Sequence, residues 1–210
     1  MPQSLQSRKR KLVLDTIFDA AIDLFTQKGF EATTVEEVAE AAGVSRRSFF
    51  RYYASKDDLL ARSVVIFGDI LAAAVAKSPK DREPADVVRD TLLEALKHAE
   101  ASPKTRQVIA IAERSPSAAQ AHLSRMAEIE EKIAAAFAAR MKGVKKGSTK
   151  PKLLAGLTTL IMSVAMIAWF HGEYADLTTA VNDVFENLSI YMAGGKIPPR
   201  RAAARKPARK

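Results

Sequence analysis

Apolar residues recur at helical spacing along almost the whole chain, and prolines and most glycines between them fall at the edges of the periodic runs. No run alternates apolar and polar residues as a half-buried strand would, and no Asn-Gly hairpin signal separates two such runs. The pattern predicts an all-α protein. Periodic runs cover residues 8–28, 35–42, 46–53, 56–77, 84–100, 104–114, 117–141, 151–172 and 176–193, with Gly29, Pro79, Pro84, Pro103, Pro116, Gly143, Gly147, Pro151 and Gly172 as punctuation. With 48% apolar residues in 210, the chain can bury a sizeable core.

The stretch "TTVEEVAEAAGVSRRSFFRYYASKDDLL", residues 33–60, carries the densest local signals. Thr34 followed by Glu37 is a capping-box pattern, which starts a helix at Val35. Val38, Ala39 and Ala42 give that helix an apolar face, and Ala39 is small enough to let a second helix cross closely. Gly43 stands where the chain must turn through left-handed backbone, and Ser45 can cap the next helix. Ser55 with Asp58 repeats the capping pattern and starts a long helix at Lys56.

The second short helix divides by face. Phe49 and Tyr53 are four apart and should pack inward, leaving Arg46, Arg47, Phe50 and Arg51 mostly outward. A helix-turn-helix lays such an outward face in the DNA major groove, with its N-terminal residues nearest the base edges. The planar fork of Arg46 or Arg47 suits guanine O6 and N7. Ser48 suits a base edge or a phosphate, Phe50 a thymine methyl or a sugar edge, and Arg51, Tyr52 and Lys56 suit phosphates.

Net charge says less than its value of +9 suggests. Residues 1–60 hold nine Lys/Arg and nine Asp/Glu, whereas residues 195–210 hold seven basic residues and no acid, and residues 142–152 hold five and no acid. A DNA-binding argument therefore rests on arrangement rather than on bulk charge. The tail "KIPPRRAAARKPARK" has no apolar stripe and reads as disordered, a source of sequence-independent phosphate attraction.

The segment "DAAIDLFTQKGFEATTVEEVAEAAGVSRRSFFRYYASKDDLL" resembles the N-terminal DNA-binding domain of the TetR (tetracycline-repressor) family of transcriptional regulators, over roughly residues 10–62. The resemblance implies a three-helix DNA-binding domain containing the helix-turn-helix, followed by a helical ligand-binding and dimerisation domain. It implies a dimeric, ligand-released repressor on double-stranded DNA, with a small-molecule effector. By position it implies DNA contacts from Thr34, Arg46, Arg47, Ser48, Phe50, Tyr52 and Lys56, to which the local reading adds Ser45 and Arg51. Arg47 stands where the family often has a small residue or proline, and adds a possible base reader. Phe50 stands where a tyrosine is frequent, which removes a phosphate-binding hydroxyl. The "SRRSFFRYYASKDDL" variant is similar to family members that sense fatty acyl-CoA, which makes an acyl-CoA-like ligand one candidate.

The expected domains are an N-terminal arm and helix-turn-helix over 1–55, a helical domain over 56–194, and the basic tail over 195–210. The last two helical runs present Leu157, Ile161, Val164 and Ala168, then Val181, Val184, Leu188 and Tyr191, as a candidate homodimer face. Two-fold symmetry would place two recognition helices one DNA turn apart on a palindromic operator. Phe67, Met126, Met162, Met166 and Trp169 are candidate lining for an apolar pocket. The few charges in these segments favour an apolar or amphipathic ligand.

Residues 153–170 form an uncharged run of 18, the lower edge of a membrane-spanning length, but Gly156, Thr158, Thr159 and Ser163 favour a core or interface helix. No membrane partner is expected. The absence of cysteine fits a reducing cytoplasm, and the N-terminus lacks a signal-peptide apolar stretch. His98, His122 and His171 lack ligand spacing, and the adjacent carboxylates read as caps and solvated faces, so no metal, cofactor or enzyme chemistry is expected. Two other classes stay open: a nonspecific architectural DNA-binding protein using the tail, and an enzyme with its site in the apolar pocket.

Overall fold

The computed structural model describes residues 4–195 apart from Lys142 and Lys146, and all of their side chains except that of His122. Ten helices make up this part of the chain: α1 (Leu5–Lys28), α2 (Val35–Ala41), α3 (Arg46–Tyr52), α4 (Lys56–Lys77), α5 (Pro84–Ala101), α6 (Pro103–Arg114), α7 (Pro116–Leu123), α8 (Met126–Arg140), α9 (Thr149–Phe170) and α10 (Leu177–Met192). No strand occurs among the described residues. The protein is all-α, as its periodicity predicts. The expected basic tail, beyond Gly195, lies outside the described residues.

Two helix limits depart from the sequence reading for local reasons. The single run expected over 117–141 is two helices, broken at Ser124 and Arg125. The Ser124 hydroxyl donates to the Ala121 carbonyl at 2.7 Å, while Arg125 turns its guanidinium onto Asp58 and Glu128, each at 3.3 Å. Side-chain-to-backbone bonding of this kind competes with helix continuation and leaves no glycine or proline in the sequence to announce it. In α9, Pro151 is a third helical residue rather than a boundary. Its missing N–H is one of the first-turn donors that lack an intrahelical partner anyway. Lys150, just before the expected start of this run, is therefore helical as well.

The chain forms two compact units, and their limits differ from the break expected at residue 55. One unit combines the residues up to Phe67 with Pro103–Ile129; the other combines Gly68–Ser102 with Glu130 onward. Both α4 and α8 contribute to each. In the first unit, Leu14, Ile17, Ala21, Ile22 and Phe25 of α1 meet Val38, Ala39, Phe49, Tyr53, Leu59 and Leu60, and also Ile111 of α6 and Ala118 of α7. The three N-terminal helices are thus completed by chain from much later in the sequence. Lys104 ion-pairs with Asp23, and the Ser115 hydroxyl donates to Glu31, tying α6 and α7 to the N-terminal helices. That hydroxyl, the largest influence on the Glu31 carboxyl, holds its pKa below the usual value.

In the second unit, α9 packs on α5 and α10. Its buried residues include Ala155, Thr158, Ile161, Ala165 and Trp169, against Val88, Leu92 and Leu96 of α5 and Ala180 and Val181 of α10, which are buried too. Arg140 closes the end of α4 by donating to the carbonyls of Val75, at 3.1 Å, Pro79, at 2.6 Å, and Ser78. By length and composition α9 could cross a membrane, at a mean hydropathy of 2.0. Packing accounts for only part of that composition: 39% of the apolar stretch is buried, while Leu160, Val164 and Ile167 are exposed. The stretch Arg46–Lys77 meets the same criterion, but Tyr53 is extended (φ −136°) and interrupts it.

Candidate DNA-binding surface

The surface is built from α2, the Gly43 corner and α3. At the start of α2, the Glu37 N–H donates to Thr34 Oγ1 at 3.2 Å and the Thr34 N–H donates to Glu37 Oε2 at 3.0 Å. This reciprocal cap satisfies two otherwise orphaned donors. Lys28 ion-pairs with the same carboxylate and, more than the Thr34 N–H, holds the Glu37 pKa below its usual value. At the other end the Val44 N–H reaches the Ala39 carbonyl and the Gly43 N–H reaches that of Glu40, both at 2.9 Å. This is a Schellman ending, and it puts Gly43 at φ +65°, a left-handed conformation that glycine adopts without strain.

The corner aims α3. Ser45 Oγ accepts the Ser48 N–H at 3.1 Å and also donates to the Ser48 hydroxyl at 3.1 Å. Phe49 and Tyr53 are buried, and the Tyr53 hydroxyl donates to the Leu14 carbonyl at 2.9 Å, fixing α3 to α1. The opposite face carries Arg46, Arg47, Phe50 and Arg51, all exposed, with Tyr52 half-buried at its end. Phe50, 46% exposed, is the large apolar group on this face of α3.

The four cationic side chains differ in how they are held. Arg46 Nε lies 2.7 Å from Glu36 Oε1, and its guanidinium sits 5.5 Å from the Phe50 ring centre. Arg51 lies 4.9 Å from the Tyr52 ring centre and donates to its hydroxyl at 3.3 Å. Arg47 has no hydrogen-bond or ion-pair partner among the described residues. Lys56 does not fit the simple phosphate-binding expectation. Its ammonium donates to the carbonyls of Phe30 (2.7 Å), Glu31 (3.1 Å) and Thr33 (3.2 Å), and lies 4.6 Å from the Phe30 ring centre. All three of its donors serve the turn between α1 and α2, so a phosphate would have to displace one of them.

The expected pocket residues are not brought together within a unit. Phe67 and Met126 belong to the first unit; Met162, Met166 and Trp169 belong to the second. Trp169 is buried, and the other four are half-buried. Two cavities within the second unit have other linings. One, about 480 Å³, is bounded by Lys80, Arg82, Pro84, Phe137, Arg140 and Leu154. The other, about 500 Å³, lies along α9 and α10 beside Val164, Ile167, Tyr174, Asp183 and Val184. The carboxylate of Glu36, expected with that of Glu37 to serve a cap or a solvated face, meets Arg46 instead. It reads as one more acid in the first turn of a helix, and only the fold brings it to Arg46 across the corner.

Two short helices joined by a Schellman corner, the second with a cationic outer face and an inner face sealed to α1, make a helix-turn-helix regulator. A family description, bacterial regulatory proteins of the tetR family, matches residues 17–62, and another, the MftR C-terminal domain, matches residues 82–193. The chain belongs to the TetR family of transcriptional regulators. It is 28% identical over 194 residues to the transcriptional regulator TcmR of Streptomyces glaucescens, covering 87% of this chain and 84% of TcmR. It is likewise 28% identical over 198 residues to MftR of Mycobacterium tuberculosis, a candidate regulator of mycofactocin biosynthesis, covering 88% of this chain and 93% of MftR. Among solved structures, a candidate TetR-family regulator from Syntrophomonas wolfei shares the fold with a TM-score of 0.63 at 14% identity, covering 88% of this chain and 96% of that one. NalD of Pseudomonas aeruginosa, the secondary repressor of a multidrug efflux pump, shares it with a TM-score of 0.60 at 18% identity, covering 84% and 94%.

Proposed function

We propose that this TetR-family regulator is a cytoplasmic repressor that binds a palindromic operator as a homodimer and is released by an apolar or amphipathic small molecule. The division of α3 carries this reading: Phe49 and Tyr53 seal it to the fold while Arg46, Arg47, Phe50 and Arg51 stay exposed. Arg46 and Arg47, in its first turn, are the candidate base readers. Thr34, Ser45, Ser48, Arg51 and Tyr52 are candidates for positioning the helix on phosphates, with Lys56 available only after giving up a carbonyl.

The second unit supports the dimer. Leu153, Leu160, Val164 and Ile167 leave a stripe of exposed apolar side chains along α9, and Tyr191 and Met192 are exposed at the end of α10. A row of large apolar groups on a helix bundle favours burial against a second copy. Release by an effector is supported by α4, whose residues belong to both units, so a ligand that prefers a different α4 tilt alters the spacing of two recognition helices. An acyl-CoA-like molecule is one candidate effector.

The test is selection of bound duplexes from a random DNA pool at about 150 mM salt, where nonspecific binding is already weakened. Wild type and the double variant Arg46→Ala/Arg47→Ala are run in parallel. Wild type should enrich a palindrome that the variant loses or relaxes. Retention of DNA by both proteins with no preferred sequence would replace this reading with a nonspecific architectural one.

A further inference from the structure

We infer that Glu36 is a specificity-determining residue: it positions Arg46 as the base reader of the recognition helix and leaves Arg47 to a second, less constrained contact. The inference rests on the DNA-binding reading above and deepens it. Arg46 Nε lies 2.7 Å from Glu36 Oε1, while the face of its guanidinium is backed by the Phe50 ring at 5.5 Å. One edge and one face of the group are therefore held, by residues from two different helices. No hydrogen bond ties its terminal amino groups to another described residue, and with the side chain 67% exposed they are open to solvent; they are the pair of donors that guanine O6 and N7 accept.

Capping does not account for this geometry. Glu37 already forms the capping box and takes the ion pair from Lys28, so α2 has its cap without Glu36. The Glu36 side chain is 58% exposed and that of Arg46 is 67% exposed. A pair so open to water adds little stability to the free protein. Its value lies in the complex, where bringing DNA against both groups removes water and strengthens their attraction. An isolated carboxylate on a face that meets phosphates would repel them; paired with Arg46, it fixes the guanidinium instead. Arg47, lacking such a clamp, must order its side chain on binding.

The experiment uses the duplex selected by wild type, resynthesised with every half-site base pair changed in turn, and measures competition binding for wild type, Glu36→Ala, Glu36→Gln, Arg46→Ala and the double variant Glu36→Ala/Arg46→Ala. In wild type, one base pair per half-site should carry discrimination of roughly tenfold to a hundredfold through Arg46. Arg46→Ala should abolish preference at that pair. Glu36→Ala and Glu36→Gln should each reduce it by about tenfold, leave the other pairs unchanged, and add nothing once Arg46 is gone. Both Glu36 variants should bind random-sequence DNA more tightly and with a steeper salt dependence, since a negative charge is lost and Arg46 is freed toward phosphate. A merely structural role would weaken all sequences alike. That result, or full discrimination in the Glu36 variants at the pair lost in Arg46→Ala, overturns the inference and leaves the DNA-reading function intact. If wild type selects no sequence, the function and the inference fall together.

Discussion

Tyr53 links the recognition helix to the rest of its unit, and its environment makes it a testable reporter. The phenol is buried, donates to the Leu14 carbonyl at 2.9 Å, and has its pKa pushed up to about 12, first by burial. A phenol in the unfolded chain ionises near pH 10. The folded state therefore favours the neutral form, and the stability from this group is fully present below about pH 10 and lost as pH rises toward about 12. Tyr53→Phe should cost about 1 kcal/mol at neutral pH and remove that alkaline component, as read by urea denaturation of both proteins near neutrality and near pH 11. An unchanged alkaline slope would mean the phenol ionises without opening the fold. Gly43 makes a second test. At φ +65°, with nothing within 4 Å of an added Cβ, Gly43→Ala meets a conformational penalty and no clash. It should lower stability by about 1–2 kcal/mol in thermal or denaturant unfolding. No loss would indicate that the corner relaxes out of the left-handed region.

At the scale of the helix, the sequence made some features plain and hid others. Phe49 and Tyr53 face inward because four-residue spacing fixes a side of the helix whatever the rest of the chain does. The caps at Thr34 and Ser45 depend only on near neighbours, so they too were legible. Lys56 was not: its carbonyl partners lie 23 to 26 residues earlier and meet it only in the folded unit. Periodicity marks an apolar face but cannot say which core it joins, so nothing in the sequence marks α6 as packing on α1 or Ala118 of α7 as joining the same core. The same gap affects α9. Of the residues expected at a dimer face, Ile161, Ala168 and Val181 are buried inside the unit, whereas Val164 and Tyr191 are exposed, as is Leu160, which the sequence did not single out. If the exposed stripe is the dimer face, Leu160→Glu/Val164→Glu should yield a folded monomer by sedimentation. Ile161→Glu should instead unfold the protein, because a buried unpaired charge costs several kcal/mol. A folded dimer from the stripe variant would exclude that face.

For the whole molecule, the decisive quantity is where the +9 charge sits. Seven of its cations lie in residues 195–210, outside the helix-turn-helix, and residues 8–11 add four more, Arg8, Lys9, Arg10 and Lys11, all exposed near the start of α1. Cations near the N-terminus of a helix oppose its dipole, so this placement gains nothing for α1 itself. Around DNA both groups can neutralise phosphates, and each phosphate contact contributes about 0.9 to the slope of log K against log salt. Removing residues 196–210 should therefore flatten that slope by several such increments while leaving the selected sequence unchanged, since the proposed base readers lie on α3. Affinity for random DNA should fall by at least as large a factor as affinity for the operator, so specificity is kept or improved. Titrations of full-length and shortened protein on operator and random duplexes, at three or more salt concentrations, separate the outcomes. An unchanged slope removes the tail from the DNA contact and leaves phosphate attraction to α1 and the helix-turn-helix. A changed sequence preference would instead mean that the tail reads a groove, a role its composition alone does not predict.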